Sequence, residues 1–249
     1  MIGSYVGFFC ISLLNFSFPV AFVTAALGSG ILAIIVERVA YNPLRKRNAP
    51  FLYFIISAMG ASIFLENIVV ATIGPTFRTY PPVFSATPIQ IGGLTIGRLD
   101  VLMFVISAIS LSILVYIIEK TKIGLAIRAT SYSSKGSTLM GVNVDKVIFT
   151  IFLLGGILAG IAGVLFGMKY TVYPQIGAIT MKSFIAAVFG GLGSLQGAVI
   201  GSILLGIIET LTSGYISSQY RDLIAFALLI AVLIIRPTGI MGKSNEDKA

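Results

Sequence analysis

Apolar residues run along this chain in long blocks rather than in the one-face or alternating patterns of soluble domains. Phe18–Val36, Val101–Ile118, Val147–Met168 and Ser183–Ile208 hold no charged residue. Each is at or near the roughly 20 residues that an α-helix needs to cross a bilayer. Phe51–Ile73 has the same character apart from Glu66. Leu223–Ile235 offers only 13 residues between Asp222 and Arg236 and spans if its flanking polar side chains snorkel to the interfaces. The first block, Ile2–Leu14, is equally short and lacks the basic flank and small-residue cleavage site of a signal peptide. It reads as a half-helix, or as the remainder of a longer span lying near Phe18–Val36 through the turn at Asn15–Pro19, and a missing N-terminal portion is the expectation.

The predicted fold is all-α: a polytopic transmembrane helix bundle forming one membrane domain over residues 1–249. Soluble linkers, low-complexity segments and clear internal repeats do not appear. Charged residues are only 10% of the chain against 57% hydrophobic, far from the roughly 25% charged of soluble domains, which excludes a soluble globular protein. Seventeen Lys and Arg outnumber nine Asp and Glu, but the basic residues lie between apolar blocks, as the positive-inside rule requires, and form no polyanion-binding face.

Their distribution predicts topology. The 37–50 loop carries Arg38, Arg45, Lys46 and Arg47, and the 119–146 loop carries Lys120, Lys122, Arg128, Lys135 and Lys146; both belong on the cytoplasmic side. Between them the Gly74–Asp100 segment has only Arg78 and Arg98, with several prolines, and faces outward. If Ser183–Ile208 crosses once, 10 of the 17 basic residues lie inside; if it is two half-helices broken at Gly190-Gly191-Leu192-Gly193-Ser194 and returning to the same side, 12 do. The re-entrant version is favoured. Such a break is tolerable only where protein or a watery cavity meets its polar groups, which makes Gly190, Gly191, Gly193 and Ser194 candidates for the solute path. Gly156, Gly160, Gly163 and Gly167 recur on one helical face and mark close helix packing; Gly190, Gly193, Gly197 and Gly201 would do the same in a continuous helix.

Reaction chemistry is scarce. With no histidine and the single Cys10, imidazole acid–base catalysis, His-ligated or Cys-cluster metal sites and an intramolecular disulfide are all out of reach; no catalytic residue, metal or cofactor is expected. Cys10 reads as a small buried hydrophobe. Gly242-Lys243-Ser244 mimics the end of a phosphate-binding loop, but Pro237 stands where its first glycine is needed, and only five residues remain for the following helix. Glu66, followed by Asn67, is the one acid well inside an apolar span. It reads as a polar point on a solute path, as an interhelical hydrogen bond, or simply as a position nearer the outer interface. The 119–146 loop has apolar positions of its own: Leu125, Ala126, Ala129, Leu139, Met140 and Val142 fit one or two short amphipathic helices, with Gly141-Val142-Asn143 ending one of them. Such a helix suits a groove on a soluble partner or the lipid headgroups.

Further stretches add to this: Met1-Ile2-Gly3-Ser4-Tyr5, Glu37-Arg38-Val39-Ala40-Tyr41-Asn42-Pro43-Leu44-Arg45, Gly124 to Val147, Ala186 to Gly201 and Arg236-Pro237-Thr238-Gly239-Ile240-Met241-Gly242. In order and spacing they resemble the inner-membrane permease subunits of bacterial ATP-binding-cassette importers for branched-chain amino acids, with the 37–45 form leaning towards the H type. The resemblance implies a second permease subunit, two cytoplasmic ATP-binding subunits, an extracytoplasmic substrate-binding protein, and a multi-pass location in a bacterial or archaeal plasma membrane. It also implies that the loop carries a coupling helix, with Arg128, Ala129, Gly141, Asn143 and Asp145 engaging the ATPase. This loop has Tyr132 and Ser133 where the family commonly has acids. Rival readings are an importer for urea or short amides, and an ion-coupled secondary transporter or channel using Glu66.

Overall fold

The computed structural model describes residues 1–47, 49–81, 89–91, 94–191, 193–236 and 238–242, with the backbone alone at Phe51, 89–91, 94 and 95. Leu192 of the glycine-rich break, Pro237, Lys248 and the Lys243–Ser244 half of the phosphate-loop mimic lie outside the described residues. Two compact units emerge, Met1–Ile176 and Gly177–Ala249.

The first unit begins with α1 (Ile2–Ser12) and α2 (Phe18–Val36). A turn joins them in which Asn15 takes a positive φ, and Pro19 sits in the first turn of α2, where its missing N–H costs nothing. Beyond Val36 the helix does not stop. It widens into a π-helical turn, Glu37–Tyr41, and continues as α3, Asn42–Lys46. Pro43 explains the widening: it has no N–H to offer the Val39 carbonyl four residues back, and its ring crowds that carbonyl. Next come α4 (Phe51–Ile73), a hairpin of β1 (Ile89–Ile91) and β2 (Leu94–Ile96) with Ile89 opposite Ile96, and α5 (Arg98–Lys120). Two short helices, α6 (Lys122–Tyr132) and α7 (Ser134–Leu139), lead into α8 (Val144–Lys169).

The core of this unit forms where α8 meets α1 and α2. A Cβ on Gly156 would stand 2.5 Å from the Ala33 Cβ, and one on Gly160 would stand 2.8 Å from the Ser29 Cβ and 2.9 Å from the Ala25 carbonyl oxygen. At Gly167 it would be 2.3 Å from Ser4 Oγ. The glycine row therefore lets three backbones approach as the spacing predicts. Cys10 is buried, with Sγ 3.3 Å from Thr24 Oγ1.

Contacts at the two ends of the unit order its loops. At one end Arg78 and Val172 exchange backbone hydrogen bonds of 2.9 and 2.7 Å, and Lys169 Nζ meets Asp100 Oδ1 at 2.7 Å. There the Tyr80 hydroxyl donates to the Ser4 carbonyl at 2.7 Å, and burial pushes this phenol well above its ordinary range, so it stays a neutral donor. At the other end Arg45 and Asp145 pair at 2.8 Å, joining the two basic loops. The alternation inferred from the basic residues agrees with this geometry: Arg45 and Asp145 meet at one end, and Arg78 and Asp100 meet the end of α8 and the residues after it at the other.

In the second unit, α9 (Ile179–Gly190) and α10 (Leu195–Tyr215) form an antiparallel pair, and α11 (Arg221–Ile235) follows a 3₁₀ turn at Ser218–Tyr220. The apolar run 183–208 is broken and turns back on itself. The halves are unequal, however: α9 has 12 residues and α10 has 21, so the break lies at the end of a full-length helix instead of halfway along a span. Ser194 explains where α10 starts, because its Oγ accepts from the Gly197 N–H at 3.0 Å as an N-cap. The second glycine row does not lie on one face. Gly190 and Gly197 instead confront each other across the pair, a Cβ on Gly190 standing 1.9 Å from the Gly197 oxygen, and Gly201 packs on the Ala186 carbonyl.

Among the described residues six helices are long and apolar enough to cross a membrane, at Phe18–Lys46, Leu52–Ile73, Arg98–Lys120, Val144–Lys169, Leu195–Tyr215 and Ser218–Ile235. The chain is an all-α polytopic bundle, with the small hairpin as its only strands among the described residues.

Candidate functional site

The 119–146 loop is built by three caps. Thr121 ends α5 and starts α6, its Oγ1 accepting from the Gly124 N–H at 3.1 Å. A side chain at Gly124 would reach within 2.1 Å of the Ile118 oxygen, so this corner requires glycine. Arg128 folds back under α5, where Nη1 donates to the Ile118 carbonyl at 2.6 Å and to that of Glu119 at 3.3 Å. These are carbonyls the end of α5 leaves without helical donors. Ser133 is the N-cap of α7 and accepts from the Gly136 N–H at 3.1 Å. Ala129 is exposed, and its carbonyl accepts from the Ser133 N–H at 3.0 Å.

Gly141 closes α7 with a Schellman pattern. Its N–H bonds to the Thr138 carbonyl and the Val142 N–H to that of Ser137, both at 3.0 Å, while Gly141 takes φ +82°. A Cβ there would meet nothing within 4 Å. Gly141→Ala is therefore expected to cost about 1 kcal/mol, through backbone conformation alone, with the protein still folded in a thermal melt. Asn143 then N-caps α8, its Oδ1 accepting from the Lys146 N–H at 3.1 Å, and Asp145 sits in the first turn, where the helix dipole favours an acid.

These caps hold two apolar side chains in the open: Leu139 is 88% and Met140 87% exposed. Leu125 and Ile123 of α6 are also exposed. Two short helices are present, and the carried-over residues are spread from them into the start of α8: Arg128 and Ala129 lie on α6, Gly141 closes α7, Asn143 caps α8 and Asp145 lies in its first turn.

The other predicted positions do not join them. Glu66 is half-buried on α4 with no hydrogen bond or ion pair among the described residues, and the Asn67 amide turns back to the Ile63 carbonyl at 2.8 Å. Gly190 and Gly191 are buried at the α9–α10 turn, where the tail supplies partners: the Ile240 N–H bonds to the Phe189 carbonyl at 3.1 Å and the Met241 N–H to that of Gly190 at 2.9 Å. Gly191 and Gly193 both have positive φ, and a side chain at Gly193 would meet open space.

Residue order alone did not expose a charge network in the second unit. Glu209, buried, takes Arg221 Nε at 2.8 Å and Lys182 Nζ at 3.3 Å, and Lys182 also reaches Asp222 at 2.5 Å. The available signal was that each of these four charges borders an apolar run.

Compared with known sequences, residues 1–233 match the family described as the permease component of branched-chain amino acid transport systems. The chain belongs to that family. Over its full length this permease is 39% identical to the high-affinity branched-chain amino acid transport system permease protein LivH of Salmonella typhimurium, covering 84% of that protein. It is 37% identical to the corresponding BraD of Pseudomonas aeruginosa, again over its full length and 85% of the relative. Against a probable LivH of Methanocaldococcus jannaschii the identity is 30%, over 97% of this chain and 80% of that one. No solved structure matches. As a family member with six helices long and apolar enough to span among its described residues, this permease is a multi-pass membrane protein and a transport subunit, not an enzyme.

Proposed function

We propose that this permease is the pore-forming subunit of an ATP-driven importer for branched-chain amino acids in the plasma membrane, and that it works by alternating access. A binding protein delivers substrate outside, two ATP-binding subunits grip the 119–146 loop inside, and their closure on nucleotide switches the opening between this chain and a second permease. The observation that carries this reading is the α7 tip. Leu139 and Met140 stand almost fully exposed on a rigidly capped helix in a loop whose basic residues place it in the cytoplasm. A soluble partner's groove would gain an anchor from such an apolar knob.

The α4 helix supports pairing with another subunit. Leu52, Ile56, Met59 and Ile63 form an exposed stripe, and Glu66 continues it at helical spacing. An acid with no partner is costly against lipid, so a protein neighbour or the solute path facing this stripe is the favourable arrangement. Glu66 and Asn67 are our candidates for that path.

Uptake of labelled isoleucine by vesicles containing this permease, its partners and the binding protein should require ATP and the ATP-binding subunits. Uptake that continues without either would overturn the proposal, and urea or amide uptake in place of isoleucine would reassign the substrate. Glu66→Gln should lower ATP-driven uptake by no more than about fivefold, the low end of a coupling effect, and leave its ATP dependence intact. An ion-coupled carrier would lose its gradient-driven flux with the same change.

A further inference from the structure

The sequence stretch 37–45 and the acid Asp145 lie a hundred positions apart, and the structure joins them through one side chain. Arg45 splits its guanidinium between two acids, with Nη1 3.1 Å from Glu37 Oε1 and Nη2 2.8 Å from Asp145 Oδ1. We propose that Arg45 is a positioning residue for energy coupling, a clasp that ties the first turn of α8 to the π-helical turn of α2 and delivers loop movement to the membrane helices. The inference rests on the reading of the loop as the ATPase-docking element.

The two halves of the clasp differ in strength. Glu37 is buried, its side chain 5% exposed, so separating it from Arg45 would strand a carboxylate in an apolar surrounding. Asp145 is 75% exposed on its side chain, and water and salt screen that half. Arg45 therefore stays with α2, and Asp145 is the adjustable end. The planar fork reaches the two acids from two separate nitrogens, whereas a lysine would have to meet both from one.

Both sides of the clasp connect to elements that can pass on a displacement. On the loop side, Asp145 follows the Schellman turn at Gly141 and the Asn143 cap, so a push on Leu139 and Met140 reaches it through bonded backbone. On the membrane side, the π-turn interrupts the regular helical ladder, as such turns often do at functional sites. Its Tyr41 ring lies 6.2 Å from Phe54 of α4 and 5.1 Å from Phe152 of α8, measured between ring centroids. Movement delivered to the π-turn thus meets α4, the helix bearing Glu66.

The test uses the whole importer in vesicles and reads isoleucine carried per ATP hydrolysed, with retention of the ATP-binding subunits in a pull-down as a second readout. Asp145→Asn, at the exposed end, leaves the buried pair in place and avoids a folding defect. In importers that retain their ATP-binding subunits it should lower the transport ratio about fivefold. Arg45→Gln should do the same, and the double variant should be no worse than Arg45→Gln alone. Arg45→Lys should recover part of the ratio. A wild-type ratio in Asp145→Asn, or losses that add in the double variant, would overturn the clasp. Loss of the ATP-binding subunits from Asp145→Asn would also overturn it, by making Asp145 a direct docking contact while leaving the docking reading intact. Failure of the wild-type permease to retain those subunits would remove both readings together.

Discussion

A permease carrying aspartate at both 139 and 140 should insert, fold and melt like the wild type, yet lose its ATP-binding subunits on purification and import no isoleucine. Leu139 and Met140 are 88% and 87% exposed, so neither substitution opens a cavity or disturbs packing. The caps of α7, made by Ser133 and by the Gly141 turn, involve neither side chain. What changes is the surface offered to a partner: an apolar anchor becomes two carboxylates that a groove must desolvate. Interface anchors of this kind are worth about 2–4 kcal/mol, and 2.8 kcal/mol is about 100-fold in affinity. Co-purification and isoleucine uptake are the measurements. If both persist in the doubly substituted protein, the α7 tip is not where the engine attaches.

Gly160→Val is expected to prevent assembly of the first unit, while Gly155→Val, five positions earlier on the same helix, should be nearly silent. The contrast comes from the surroundings. A Cβ at 160 would lie 2.8 Å from Ser29 Cβ and Oγ and 2.9 Å from the Ala25 oxygen, and no rotamer relieves a clash with backbone. At 155 nothing lies within 4 Å. Overpacking a tight core costs about 1–3 kcal/mol when neighbours can shift; here α1, α2 and α8 meet on glycine and serine, and separating α8 from α2 would forfeit the contact along its length. Monodisperse yield in detergent and the thermal midpoint measure the difference. Equal behaviour of the two variants would mean that the glycine row is not the packing surface.

The spans were legible because a bilayer imposes one strong rule, an apolar block of set length closed by its own hydrogen bonds. Phe51–Ile73 coincides with α4, and Val101–Ile118 and Val147–Met168 lie inside α5 and α8. Legibility failed where local sequence is neutral about the outcome. The extension of α2 through Tyr41 to Lys46 depends on how Pro43 redistributes hydrogen bonds, and the unequal α9–α10 pair depends on which backbones the glycines admit. Within the loop, apolar spacing revealed two short helices and the Gly141 stop, whereas the retreat of Arg128 onto the end of α5 could not be read from its position in a basic loop.

Composition and periodicity were enough to establish a polytopic membrane bundle with short helices in a basic loop, because those properties follow from how each segment meets lipid or water on its own. Tertiary structure alone decided that Glu37, Arg45 and Asp145 form one cluster, that Ser4 and Ser29 fill the glycine face of α8, and that Glu209 gathers Lys182 and Arg221. Each of these is a contact between side chains distant in the chain, and its energy depends on shared burial and on geometry set by several helices at once.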